Sequence, residues 1–108
     1  MIEQVGVYWA KFQPRQIQQA TEGIPHGILY RLTLHDRYGK RIMGFDNAHA
    51  IRIGTRNKNG HHNKAYDHYH RYENDEGIPY RFINAYQLLE DFWLAVDKTL
   101  SMLGLEEK

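Results

Sequence analysis

The stretch Gly27-Ile28-Leu29-Tyr30-Arg31-Leu32-Thr33-Leu34-His35-Asp36-Arg37-Tyr38-Gly39-Lys40-Arg41-Ile42-Met43-Gly44-Phe45 decides the fold. Ile28, Tyr30, Leu32 and Leu34 alternate with Leu29, Arg31, Thr33 and His35, the period of two expected of a strand with one buried face. His35 therefore falls on the more polar face. Asp36 to Lys40 supplies a turn, with Gly39 able to take a positive φ, and Arg41 to Phe45 returns as the second arm of a hairpin. Extended through Asn47, this hairpin is the expected centre of a sheet.

On the N-terminal side, Gln4 to Phe12 reads as one strand, with Val5, Val7 and Trp9 on one parity and an end before Gln13-Pro14-Arg15. Gln16 to His26 reads as a loop or a polar extended segment. On the C-terminal side, Ala48 to Ile53 is a further extended piece. Gly54 to Lys64 has no apolar residue and reads as a loop, as does Tyr72 to Pro79 with its Asn, Asp, Gly and Pro. Tyr80 to Ile83 reads as a short strand. Beyond it Ala85, Leu88, Leu89, Phe92, Trp93, Val96, Leu100 and Leu103 recur at helical spacing, a broad apolar stripe for packing on a core. Asn84 is placed to cap that helix, Gln87 sits where a capping box would close, and Gly104 is a natural stop. The fold class that follows is α+β: an antiparallel β-sheet with a long C-terminal α-helix packed on one face.

The 108 residues suit one domain over positions 1–108. With 42% apolar and 25% charged residues the chain has ordinary globular composition, and a net charge of +1 implies that any contact with nucleic acid uses a local patch. The absence of cysteine excludes disulfides, thiolate zinc sites and a Cys nucleophile. The N-terminal residues form no apolar signal core, and no apolar run is long enough to cross a membrane, so a soluble cytoplasmic protein is expected. Walker loops, dinucleotide-binding glycines and Ser or Thr nucleophile motifs are also missing.

The chemistry gathers in two segments, Gly44-Phe45-Asp46-Asn47-Ala48-His49 and Asp67-His68-Tyr69-His70-Arg71. If the second is extended, His68 and His70 share a face; in a helix they would lie about 200° apart and could not share a small ligand. Imidazoles titrate near neutrality, so such a pair suits acid and base roles in phosphodiester transfer without a metal or other cofactor. Arg71, with Arg52, would hold the phosphate, and Asp46 or Asp67 would orient an imidazole. Six candidates for the catalytic site follow: Asp46, His49, Asp67, His68, His70 and Arg71. The same atoms allow a second reading, in which His49, His68 and His70 give nitrogen and Asp46 oxygen to Zn²⁺ or Mn²⁺, provided the chain bends around Asn47. A third is a polar network that only ties loops to the sheet. Arg52, Arg56, Lys58 and Lys64 could track a phosphate backbone, with Tyr69 as a stacking surface, although a charged run is also what a solvated loop looks like.

The run from Pro25 to Asp36, the Phe-Asp-Asn-Ala-His and Asp-His-x-His-Arg motifs, and Leu88-Leu89-Glu90-Asp91-Phe92-Trp93 together resemble the TumE family over about Pro25 to Leu100. That resemblance implies the toxin half of a two-gene toxin–antitoxin module, with a helix-turn-helix antitoxin as partner. His61 and His62 have no counterpart in the pattern and stay outside the candidate site. Two functions are carried forward: a metal-independent ribonuclease toxin acting on RNA, and a non-catalytic protein- or nucleic-acid-binding module whose His and Asp cluster is structural.

Overall fold

The computed structural model describes residues 2–13, 15–16, 24, 26–53 and 63–104, with the backbone alone for 16, 52–53 and 63–64. Its first two strands, β1 (Ile2–Val5) and β2 (Tyr8–Phe12), occupy the segment expected to be one strand. The reason is Gly6, whose φ of 64° opens a two-residue hairpin turn between the paired Val5 and Tyr8. A glycine with positive φ followed by an ordinary residue is the type II′ turn, whose twist matches that of the strands it joins. Splitting the segment also corrects its parity. Ala10 and Phe12 are buried, while Val7 and Trp9 are exposed.

After β3 (Arg15–Gln16) and β4 (Ile28–Leu29), which pair with each other, come β5 (Arg31–His35) and β6 (Arg41–Asp46), the expected hairpin. Asp36 organises its turn by accepting hydrogen bonds from the backbone N–H groups of Tyr38 and Lys40 through Oδ1. The remaining elements are β7 (Ile51–Ile53), β8 (Asn63–Ala65), β9 (His68–His70), β10 (Ile78–Pro79) and α1 (Ala85–Met102). The main sheet has the order β1-β2-β5-β6-β9-β10 with antiparallel neighbours, so the β5–β6 hairpin stands at its centre. Two expectations at the C-terminal side change. Asn63 and Lys64, read as the end of a loop, pair with Ile53 and Arg52 in the small β7–β8 sheet. The strand expected at Tyr80 to Ile83 lies earlier, at Ile78–Pro79, where β10 pairs with His68 and Tyr69.

The hairpin register contains one irregularity that matters for the site. Leu34 faces Met43, but His35 faces Arg41, so Ile42 is an extra residue on β6. Such a bulge rotates the following side chains by one position. Ile42 packs against the core and Arg41 turns to the opposite face beside His35.

One face of the sheet and α1 make the core: Ala10, Phe12, Tyr30, Leu32, Leu34, Met43 and Phe45 meet Leu88, Phe92, Ala95 and Val96. Phe92 is the centre of this contact, edge-on to Phe12 with centroids 5.4 Å apart and to Phe45 at 6.2 Å. Burying such a ring contributes roughly 1.5–3 kcal/mol, and each aromatic pair about 0.5–1.5 more. The buried helix face is Leu88, Phe92, Ala95, Val96 and Thr99, whereas Leu89 and Leu103 of the expected stripe are exposed. Asn84 caps α1 as expected, its Oδ1 accepting from Gln87 N–H at 2.7 Å. Gln87 does not close a capping box; its side-chain amide donates to Asp91 Oδ1 at 2.8 Å instead. Gly104, with φ of 70°, follows the C-cap Leu103. No described helix is long and apolar enough to cross a membrane.

Candidate functional site

The face of the sheet turned away from α1 is polar because the alternation that sends Leu32, Leu34, Met43 and Phe45 to the core sends their neighbours the other way. Cross-strand pairing then lines these neighbours up in rows. One row runs Arg31, Asp46, His68; the next runs Lys11, Thr33, Gly44, His70; a third brings together Trp9, His35 and Arg41. Gly44 contributes no side chain to the second row, and Arg41 Cδ lies 3.6 Å from where its Cβ would stand. A Cβ there would approach Thr33 Cγ2 to 3.1 Å. An open groove of about 350 Å³ follows these rows, with Lys11, Arg31, Arg41, Asp46 and His49 among its walls. A neighbouring cleft of about 460 Å³ shares Gln13 and Arg31 with it, and among the described residues Arg15 is the other charged one on its walls.

His68 and His70 are both buried, and both have their ring orientation settled by a backbone carbonyl. Nδ1–H of His68 donates to Tyr66 O at 2.7 Å, and Nδ1–H of His70 donates to Asp75 O at 2.8 Å. A carbonyl can only accept, so each ring carries its proton on Nδ1 and presents a lone pair on Nε2. Neither Nε2 has a hydrogen-bond partner among the described residues. A buried acceptor left in that state costs about 1–3 kcal/mol. Burial also pushes both pKa values down, with the neighbouring imidazole adding to the effect at His68 and Arg41 at His70. Protonating the bare nitrogens therefore does not relieve them easily. The two rings meet edge to face with centroids 4.7 Å apart.

His49 completes the cluster from the bend that follows β6. Its exposed ring lies 4.9 Å from that of His68, and one nitrogen from each of His49, His68 and His70 falls within 4.8 Å of the others. The bend is built by Asp46 and Asn47. Asp46 Oδ1 accepts from Ala48 N–H at 2.6 Å and lies 4.0 Å from His49 Nδ1, while its Oδ2 accepts from Arg31 Nε at 3.3 Å. Asn47 is fully buried and ties the end of β6 to the preceding strands, accepting from Tyr30 N–H at 2.9 Å and donating to Ile28 O at 2.7 Å.

Of the six expected catalytic residues, the structure brings Asp46, His49, His68 and His70 together, and sends Asp67 and Arg71 elsewhere. Alternation along β9 is the reason: 68 and 70 lie on the polar face of the sheet, so 67, 69 and 71 lie on the other. Asp67 Oδ2 accepts from Tyr30 Oη at 2.8 Å and pairs with His26 Nε2 at 3.0 Å, on the core side. The buried Tyr30 hydroxyl, next to that carboxylate, has its pKa driven far up by burial first and by Asp67 second. Arg71 holds Asp75 through Nε at 2.7 Å, and Asp75 in turn accepts from the backbone of Arg71 and Gly77, so this arginine shapes a turn. Tyr69 is not a free stacking surface; it lies on Phe45 with centroids 4.5 Å apart. Arg56 and Lys58 lie outside the described residues, as do His61 and His62, and Arg52 and Lys64 are described by their paired backbone alone.

Residues not singled out from the sequence are Lys11, Arg31, Thr33, Arg41 and Gly77. Arg31 and Thr33 share the polar parity of His35, a signal present in the alternation itself. Lys11 needed the β1–β2 turn to be recognised, and Arg41 needed the bulge.

The chain matches the family described as Toxin TumE over residues 6–100, which extends the resemblance read from the sequence to the N-terminal hairpin. No curated protein and no solved structure matches it. The match spans nearly the whole chain, including both histidine motifs and the helix, and so the chain belongs to the TumE toxin family, a membership that implies a cognate antitoxin.

Proposed function

We propose that this toxin acts on RNA in the cytoplasm as an endoribonuclease, and that the reaction takes place on the polar face of the sheet. The observation that carries the reading is the convergence of His49, His68 and His70 beside a groove walled by Lys11, Arg31 and Arg41. Three cations along an open groove suit an extended polyanion, and the guanidinium groups can hold a phosphate by paired hydrogen bonds while charge builds on its oxygens. The histidine cluster then lies where the scissile phosphate would rest and supplies the group that activates the attacking oxygen. The division of labour expected from sequence, with His68 and His70 sharing the acid and base roles between them, has less support. Both rings turn Nδ1–H to a backbone carbonyl and burial lowers both pKa values, which favours a base role over an acid role for each. The antitoxin is proposed to be a helix-turn-helix protein, following the family resemblance, and co-purification from the two-gene unit would test that.

The decisive experiment incubates the purified chain, freed of its antitoxin, with RNA. Cleavage should fall by roughly 10²–10⁴-fold in His49→Ala and in His68→Ala, the usual scale for a group that assists proton transfer or activates the attacking oxygen. Circular dichroism of His49→Ala, whose side chain is exposed, should match the parent, and the buried His68→Ala is compared at native circular dichroism. If no RNA is cut while the histidine variants keep full cellular toxicity, the chain acts by binding, and the cluster is structural.

A further inference from the structure

We propose that His49, His68 and His70 are the ligands of a divalent transition-metal ion of the zinc class, with Asp46 orienting His49. The argument begins with the two buried rings. Metal-bound imidazoles characteristically donate their other N–H to a carbonyl or carboxylate, which selects the tautomer and aims the free lone pair. His68 and His70 each do this, through Tyr66 O and Asp75 O. Their Nε2 atoms are buried and have no hydrogen-bond partner among the described residues, and the two rings meet edge to face with centroids 4.7 Å apart.

The third ligand and its support are also present. A nitrogen of His49 lies within 4.8 Å of the other two, and Asp46 Oδ1 is 4.0 Å from His49 Nδ1, where a carboxylate can steady a metal-bound imidazole. Tetrahedral zinc with bonds of about 2.0–2.1 Å sets its nitrogens about 3.3 Å apart, so the cluster must close by up to about 1.5 Å. His49 is the member able to move, since its side chain is exposed and sits on a bend. Three neutral nitrogens are the ligands offered among the described residues, with His49 on the wall of the cationic groove; a reactive zinc site characteristically has three protein ligands, whereas purely structural zinc is closed by four. Nitrogen-only ligation favours zinc and its neighbours over magnesium or calcium, which prefer oxygen.

This inference rests on the same cluster as the proposed RNA chemistry, yet binding and cleavage are measured separately. Untagged full-length chain, stripped with chelator, is titrated with Zn²⁺ by calorimetry and with Co²⁺ by visible absorption. One equivalent should bind, Co²⁺ should show tetrahedral ligand-field bands, and His49→Ala should lose those bands and weaken Zn²⁺ by more than about tenfold. His49 is the deciding position because its exposed side chain can be removed without opening the core; His68→Ala is a second variant, read only where its circular dichroism is native. No binding, or binding unchanged by His49→Ala, overturns the metal site. RNA cleavage at full rate in EDTA, with no ion bound, does the same while leaving the ribonuclease reading intact. One ion bound through His49 in a protein that cuts no RNA upholds the metal site and ends the ribonuclease reading.

Discussion

A Cβ on Gly77 would stand 3.1 Å from Cδ2 of His68, closer than an ordinary carbon contact allows. The same atom would lie 3.3 Å from Cε1 of His70, so the bare glycine is the surface against which both rings rest. Its φ of 107° is a second requirement for glycine. Gly77→Ala should therefore cost roughly 1–3 kcal/mol in urea denaturation, from backbone strain. It should also displace the cluster, so Zn²⁺ affinity should fall along with stability. A variant of native stability would show that the turn adjusts without disturbing the rings.

Arg41 and Arg71 make a paired test of which arginine meets the phosphate. Arg41→Ala should weaken RNA binding and reduce the salt dependence of affinity by about one counterion, because its side chain lines the groove. Arg71→Ala should leave RNA affinity unchanged and lower the melting temperature, since it deprives the buried Asp75 carboxylate of its guanidinium. Fluorescence anisotropy over a salt series, alongside thermal melts, separates the two effects.

Asp75 should make the protein acid-sensitive in a definite window. The Arg71 guanidinium, together with the N–H groups of Arg71 and Gly77, holds its carboxyl well below the usual carboxylate range. A carboxyl with a depressed folded pKa contributes stability that is full above its unfolded value of about 3.9 and is lost as pH falls toward the folded value. Melting temperature should drop below about pH 4, and Asp75→Asn should flatten that part of the profile while lowering stability at neutral pH.

Phe92→Ala should destabilise by about 3–5 kcal/mol in chemical denaturation, because the ring is fully buried between the sheet and the helix. A loss below about 1 kcal/mol would mean that α1 is not held on the sheet by this ring.

Much of this was legible in residue order. The alternation from Ile28 to His35 gave the central hairpin and its polar face, the stripe from Leu88 to Val96 gave the helix, and Asn84 and Gly104 marked its ends. Extended backbone at His68 and His70 was enough to place both rings on one side. The misreadings have local causes. Val5, Val7 and Trp9 looked like one face because Gly6 interrupts the strand without breaking its apolar character, and Tyr80 to Ile83 looked like a strand although the sheet ends at Pro79.

By itself, then, the sequence determined what depends on neighbours along the chain: which segments alternate, which recur at helical spacing, and which residue types are on hand for chemistry. Tertiary structure decided the rest. Sheet register set Asp46 beside His68 and Gly44 beside His70, a bulge of one residue turned Arg41 into the groove, and strand parity removed Asp67 and Arg71 from the site. The protonation pattern of the two buried histidines was decided in the same way, because it depends on two carbonyl oxygens, Tyr66 O and Asp75 O, that only the folded chain brings to their Nδ1 atoms. Register and hydrogen bonding are properties of pairs of segments, so no single segment encodes them.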